Sequence, residues 1–381
     1  MKVIVAPDSF KGTLSSIEIT NIISDSILDV SKKVEVVRVP LGDGGAGSYD
    51  VVKYNLKTAK EIFVKVHDPL NKVIKSSYLD IGNGICYIEI AKACGLPLIP
   101  YKEGNAAITT SYGVGELILD ALDKKFKRII LGLGGSATND CGIGLLIALG
   151  AKFVSRGNRE ITLGRGEDLI RIKDYDFSTL DPRLKTTKFT ILTDVKNMLV
   201  GKNGATRIFG PQKGAHGKVN DDLEEGMLNL IDVVKNKDGM DLSNIVGGGA
   251  AGGLGACCAY ILNARLEPGI DFFINLTKLD QYIKGADYIF IGEGKIDNSS
   301  LNGKTISGVC ELVKNNDKKT KVIALCGRCD IDIDKVQEVG VDGVYQLFDK
   351  EHDLKFYKEN TPIRMGEFVD KYFKMVLLEL E

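Results

Sequence analysis

The chain lacks an excess of charge of either sign: 50 basic residues face 51 acidic ones, a formal net charge of -1. That balance removes any general electrostatic pull toward nucleic acid or an anionic membrane, so any anion site must be local. Long apolar runs are missing too, and no window approaches the roughly 20 residues of a membrane-spanning helix. The N-terminal MKVIVAPDSFKG is too short in its apolar part, and wrongly flanked, for a secretory signal. A cytoplasmic protein without nucleic-acid or membrane partners is expected. Histidine is scarce, and His67, His216 and His352 are too scattered for a histidine triad or zinc centre. Cys326 and Cys329 have CxxC spacing, but no second such pair or nearby histidine completes a zinc set. The eight cysteines therefore read as reduced packing residues. No repeat of solenoid period and no low-complexity segment is evident.

What is present is enough apolar sequence for two cores. A single core stops growing at about 250 to 300 residues, and this chain has 381, of which 44% are hydrophobic. Lys2–Ala6 reads as a strand, PDSFKGTLS as its loop, and Ile17, Ile19, Ile22, Ile23, Ile27 and Leu28 recur at helical spacing, with Ser15 or Ser16 as N-cap. Lys33–Val39 and PLGDGGAGSYD repeat the pattern. From Thr58 the rhythm changes to IFVKVHDPL, VIKSSYLDI and ICYIEIA, strands joined by hairpin turns at DPLN and GNG. The β-α rhythm returns after Gly285 with strands at Asp287–Ile291, Lys321–Leu325 and Gly343–Leu347. Five parallel strands drawn from both ends of the chain make a Rossmann-like sheet. The expected organisation is thus residues 1–54 plus 285–381 as one domain, and 55–284 as a second α/β domain with antiparallel strands inserted in it.

The stretch from Arg128 to Gly150 stands out within the insertion. An apolar strand leads into Gly134, Gly135, Ser136, Ala137, Thr138, Asn139 and Asp140, and apolar residues then recur as on a buried helix. Glycines allow close backbone approach, and the amides of a helix start suit a phosphate or carboxylate. Other glycine-rich loops carry Asp8, Ser9 and Lys11, then Asp43, then Asp194 and Lys196, then Lys202, Arg207 and Lys213. GEGKIDNSSLNGKT adds Glu293, Asp297 and Lys304 and falls one glycine short of a Walker A motif, which rules against a P-loop NTPase. In open parallel sheets ligands bind at the carboxyl ends of strands, so these loops are expected to share a cleft between the domains. GGGAAGGLGACCAYIL reads as a helix of small residues, able to pack closely against that cleft or another subunit, which makes a homodimer one expected partner state. Cations and amides to meet phosphate charge, carboxylates for magnesium, and one carboxylate to accept a hydroxyl proton are the requirements of phosphoryl transfer.

PDSFKGTLS, PLGDGGAG, GLGGSATNDCGIG, TDVKN, FGPQKGA, GGGAAGGLGA and GEGKIDNSSLNGK occur in this order over nearly the whole chain. In them the sequence closely resembles the type I glycerate kinases. The resemblance implies a flavodoxin-like three-layer domain with a second α/β domain inserted in it. It also implies ATP- and magnesium-dependent phosphorylation of D-glycerate to 2-phosphoglycerate or, in some members, 3-phosphoglycerate. Ala46 stands where the family usually has glutamate, Cys141 where glycine is common, Met198 where proline is common, and Asn298-Ser299 where Gly-Gln is usual.

On this basis Asp8, Ser9, Lys11, Asp43 and Lys213 are expected to bind the substrate, Lys11 and Lys213 meeting its carboxylate. Gly134, Gly135, Ser136, Thr138 and Asn139 are expected to receive ATP, with Glu293 and Lys304. Asp194 or Asp297 would be the proton acceptor or the Mg2+ ligand, with Lys11 a further catalytic group. Two alternatives stand beside this reading: a non-catalytic sugar-acid or nucleotide sensor, and a dinucleotide-dependent oxidoreductase, the latter disfavoured because no GxGxxG opens the first helix.

Overall fold

The computed structural model describes residues 1–100, 104–301 and 303–378, so Asn302 of the Walker-like stretch lies outside the described residues. Its strands are β1 (Lys2–Val5), β2 (Glu35–Arg38), β3 (Lys60–His67), β4 (Val73–Gly82), β5 (Ile85–Glu89), β6 (Arg128–Gly132) and β7 (Lys152–Ser155). They continue as β8 (Glu160–Ile161), β9 (Ile172–Asp176), β10 (Lys188–Leu192), β11 (Arg265–Glu267), β12 (Tyr288–Ile296), β13 (Lys321–Cys329) and β14 (Gly343–Gln346). The chain divides into two compact units. The first comprises Met1–Asp43, Asp50–Lys57 and Pro268–Glu381, the second Gly44–Tyr49 and Thr58–Glu267.

In the first unit β14-β13-β12-β1-β2 form one sheet with every neighbouring pair parallel. Counted within the unit and read from β2, this is the order 2-1-3-4-5 of flavodoxin-like folds. The strand period of two sends Val3, Val5, Phe290, Ile323 and Leu325 to one face. There they pack with Ile19, Ile23 and Ile27 of the Ser16–Val30 helix and with Met365, Val369 and Phe373 of the Leu354–Leu378 helix. The crossovers from β1 and β12 run in opposite directions along the sheet, and the right-handed rule for such connections then puts the Thr305–Asn316 helix on the other face, completing three layers. Ser15 caps the Ser16–Val30 helix through a capping box: its hydroxyl accepts from the Glu18 amide at 3.2 Å, and its own amide donates to the Glu18 carboxylate at 2.8 Å.

Two boundaries differ from the sequence expectation. The return to the first unit comes at Pro268 rather than 285, because the helices Gly269–Thr277 and Leu279–Ile283 pack with the Thr305–Asn316 helix. Ile270 lies so close to Gly308 that a Cβ there would be 2.8 Å from Ile270 Cγ1. The loop Gly44–Tyr49 belongs to the second unit instead of the first, since the buried Glu89 carboxylate accepts from the amides of Gly47 at 3.1 Å and Tyr49 at 2.8 Å.

The second unit holds a six-stranded sheet, β11-β10-β6-β5-β4-β3. Its β3, β4 and β5 are antiparallel, as the hairpin turns suggested, while β5, β6, β10 and β11 run parallel. Asn83 and Gly84 both have positive φ, 54° and 71°, which is the requirement of the type I′ turn that joins β4 to β5. The charged stretch after Gly150 contains a small antiparallel sheet, β8-β7-β9, with Phe153, Ile161 and Tyr175 buried. The small-residue helix is also not regular: Ala251, Gly252 and Gly253 have φ of 52°, 69° and 96°. The cause is close packing, since a Cβ on Gly252 would lie 2.1 Å from the Thr138 carbonyl oxygen. Among the described residues no helix is long and apolar enough to cross a membrane.

Candidate active site

In the first unit the strand order reverses between β1 and β12, and the loops after these strands border a cavity of about 470 Å³. Backbone pairing continues past β1, with the Asp8 amide donating to the Gly292 carbonyl at 2.9 Å. The chain then turns tightly between Phe10 and Leu14, helped by Gly12 at φ 84°, which leaves Lys11 at the tip. Gly294 lets β12 run directly against this loop: a Cβ there would be 3.2 Å from Phe10 Cα. Six of the residues singled out in the sequence, Asp8, Ser9, Lys11, Asp43, Glu293 and Lys304, line this one cavity.

Their geometry makes a compact charged cluster. Lys11 Nζ donates to Asp43 Oδ2 at 2.6 Å. Asp8 is 7% exposed; its Oδ1 accepts from the Ser9 amide at 2.6 Å and its Oδ2 from the Thr305 hydroxyl at 3.1 Å. Burial, with the neighbouring Asp43 charge, pushes the Asp8 carboxyl up to about 8, although Lys11 and the Ser9 amide oppose this. Burial likewise pushes Glu293 up to about 7 against a hydrogen bond from Ser300 and the charge of Lys304. The Asp43 carboxylate in turn holds Lys11 above its ordinary value. Asp297 differs. Burial raises it, but the Ser299 amide at 2.8 Å, the Ser299 hydroxyl at 2.5 Å and the charges of Lys304 and Lys295 outweigh burial, and its net shift is downward. Lys304 Nζ donates to the same Ser299 hydroxyl at 2.7 Å, so Ser299 takes part in this network at the position where the family usually has glutamine.

The second unit holds the glycine turn, and there the expectation needs correction. The helix after it begins at Ile143, beyond Asp140, so the turn does not feed directly into a helix start. Gly134 and Gly135 serve packing: Cβ atoms there would lie 2.2 Å from Gly45 Cα and 2.9 Å from Ala46 Cβ. Thr138, Asn139 and Asp140 are fully buried. Asn139 donates to the Thr206 hydroxyl at 2.9 Å, and the Asp140 carboxylate accepts from the Ser111 amide and hydroxyl, both at 2.7 Å. Cys141 adopts φ 49°, a left-handed backbone that a glycine enters without strain.

Lys213, expected to face a substrate carboxylate, is 3% exposed and pinned to this turn, donating to Ser136 Oγ at 2.9 Å and to the Thr138 carbonyl at 2.6 Å. Burial pushes its ammonium down to about 8, with Cys94 and Asp140 only partly offsetting the cost. No acidic side chain forms an ion pair with it among the described residues. The turn therefore sits in the field of a buried cation. Asp194 follows β10 in this second unit, whereas Asp297 belongs to the first.

Among the described residues no group of three or more His, Cys, Asp or Glu could hold a metal ion. Magnesium asks for less, one or two carboxylates beside substrate phosphates. Glu293 Oε1 is shut off from solvent without a hydrogen-bond partner among the described residues, and Asp297 is held in its charged form nearby; together they fit that smaller demand. The cavity's other wall carries no sequence signal. Arg328, Phe348, His352, Tyr357 and Thr361 also line it. Arg328 lies inside the CxxC segment, whose spacing speaks only for its cysteines, and the other four belong to no motif.

Comparison with known proteins bears on the family of the whole chain. The model of the glycerate kinase family matches residues 3–377. The chain is similar to a glycerate 2-kinase of Escherichia coli K12, with 38% identity over 91% of this chain and 90% of that protein. It is also similar to a glycerate kinase of Bacillus cereus, with 40% identity over 91% of this chain and 90% of that protein. A solved structure from Salmonella typhimurium LT2, assigned as a glycerate kinase 2, superposes with a TM-score of 0.81 at 31% identity, covering 100% of this chain and 99% of that one.

Proposed function

The chain belongs to the glycerate kinase family, and from that premise we propose that it transfers the γ-phosphoryl group of ATP directly to D-glycerate, giving 2-phosphoglycerate with Mg2+ as the assisting cation. Family membership displaces the oxidoreductase and sensor alternatives. The observation that carries the proposal is the cavity of the first unit, where acids with opposed environments meet lysines. Titratable neighbours pushed apart in this way mark separate acid and base duties.

Asp8 is the proton acceptor: it is buried, and its raised basicity suits it to take the proton of the attacking hydroxyl. That hydroxyl oxygen bonds to the γ-phosphorus, the bond from phosphorus to the bridging oxygen of ADP breaks, and the hydroxyl proton passes to Asp8. Lys11 and Lys304 offset the charge of the transferring group. Glu293 and Asp297 would hold Mg2+, which when bound neutralises phosphate oxygens. Asp297, one of the two aspartates expected to fill either duty, keeps the ligand role because its carboxylate stays ionised. Phosphorus NMR of the product from ATP and D-glycerate tests the reaction and its position together: a 2-phosphoglycerate signal is expected, a 3-phosphoglycerate signal would move the site of attack, and no phosphorylated glycerate would overturn the proposal.

A further inference from the structure

The cavity of the first unit is too large for its charged cluster and a three-carbon acid. At about 470 Å³ it falls in the range, about 300 to 1,000 Å³, of pockets that enclose a drug-sized ligand. Its remaining wall is aromatic and comes from the segment entering the C-terminal helix. The His352 ring stacks on Phe356 with centroids 3.9 Å apart and 20° between planes, and Tyr357 stands edge-on to Phe348 at 5.0 Å and to His352 at 5.9 Å. The Tyr357 hydroxyl accepts from the His352 amide at 3.0 Å, which fixes one ring relative to the other. Such walls offer π faces and edges to a planar ring.

A second observation points to a ligand with polar edges. Thr361 is fully buried, lines the cavity, and its hydroxyl has no hydrogen-bond partner among the described residues. A helical threonine ordinarily returns its hydroxyl to a carbonyl of the preceding turn. Leaving a buried hydroxyl unpaired costs free energy that a ligand atom would recover. Arg328 and Lys304 line the same cavity, so a group carrying negative charge beside its planar ring meets cations there.

We propose that the nucleoside of the phosphoryl donor occupies this end of the cavity, its base against His352 and Tyr357 with a polar edge toward the Thr361 hydroxyl, while its phosphates run toward Lys304. The assignment rests on ATP being the donor, as proposed above. It gives the wall formed by residues 348–361 a specificity role that the charged cluster does not supply, because the cluster's lysines meet phosphate charge and offer no ring face to a base.

The chain has no tryptophan, so His352→Trp introduces a single emission reporter into the full-length protein. A non-hydrolysable ATP analogue is expected to quench that emission saturably, and D-glycerate alone is expected not to. Thr361→Val keeps the shape and removes the hydroxyl, and His352→Ala removes the stacking face. In both, the KM for ATP is expected to rise, by about tenfold for loss of the stacked ring, with a much smaller change in the KM for D-glycerate. An unquenched reporter at analogue concentrations above the wild-type KM for ATP, or an unchanged KM for ATP in both variants, would overturn the assignment while leaving ATP as donor. Failure of the wild-type protein to use ATP at all, with turnover on another phosphoryl donor, would instead overturn the donor reading on which it rests.

Discussion

The first unit's cavity loops and the second unit's glycine turn share one sequence character, polar and glycine-rich segments after strands, yet they are built for different duties. Around the cavity, burial pushes Asp8 and Glu293 toward neutrality despite the lysines beside them, and Glu293 Oε1 is left unpaired among the described residues. At the turn the side chains point inward: Asp140 is saturated by Ser111, Asn139 reaches Thr206, and a buried lysine holds the backbone from inside. Unmet demand does not separate the two, because Asn139 Oδ1 is also unpaired among the described residues; access does, since the turn's side chains are closed off while Asp8 and Glu293 border a cavity. A polar loop on its own does not distinguish them.

The sharpest way to test the cavity side of this contrast is to neutralise its acids one at a time. Asp8→Asn is expected to lower kcat by about 10²- to 10⁴-fold, the usual contribution of a positioned base, with the circular dichroism spectrum unchanged. A kcat within a few-fold of the parent would remove Asp8 from the chemistry. Asp297→Asn is expected to raise the Mg2+ concentration for half-maximal rate by at least the roughly tenfold that even an outer-shell change costs. A magnesium titration like that of the parent would separate Asp297 from the cation.

On the scaffold side the effects move from rate to stability. Gly134→Ala must displace Gly45 and is expected to cost roughly 1–3 kcal/mol in denaturant unfolding, as overpacking does. The smallest effect concerns Lys213. Its folded-state value of about 8 lies below its ordinary 10.5, so between these the unfolded chain binds more protons and stability gains with rising pH. The thermal midpoint of the parent should therefore improve relative to Lys213→Met on going from pH 7.5 to pH 10. Parallel pH curves for the two proteins would show that the buried ammonium carries no such cost.

Much of the architecture was legible because it is written in local periodicity. The parallel strands of the first unit are short apolar runs, the β3–β5 hairpins announce their turns at DPLN and GNG, and Ser15 with Glu18 is a capping box at the expected place. The irregular stretch at Ala251–Gly253 was not legible, since small residues satisfy a helix until the Thr138 carbonyl is brought against them. The β8-β7-β9 sheet was hidden as well, its few inward residues being interleaved with charges.

The chain by itself determined the family, the order of the two units and the loops that carry polar chemistry, because motifs and strand patterns are properties of consecutive residues. Tertiary structure alone decided what those residues face. Lys213 reads as a surface lysine in a glycine-rich loop until folding brings it to Ser136, 77 positions away. Asp8 gains its raised basicity only in the fold, where it is buried and meets the hydroxyl of Thr305, 297 positions on. The aromatic wall at His352 and Tyr357 has no motif to announce it. Burial and charge pairing between distant segments set basicity and access, and neither quantity exists until the chain has folded.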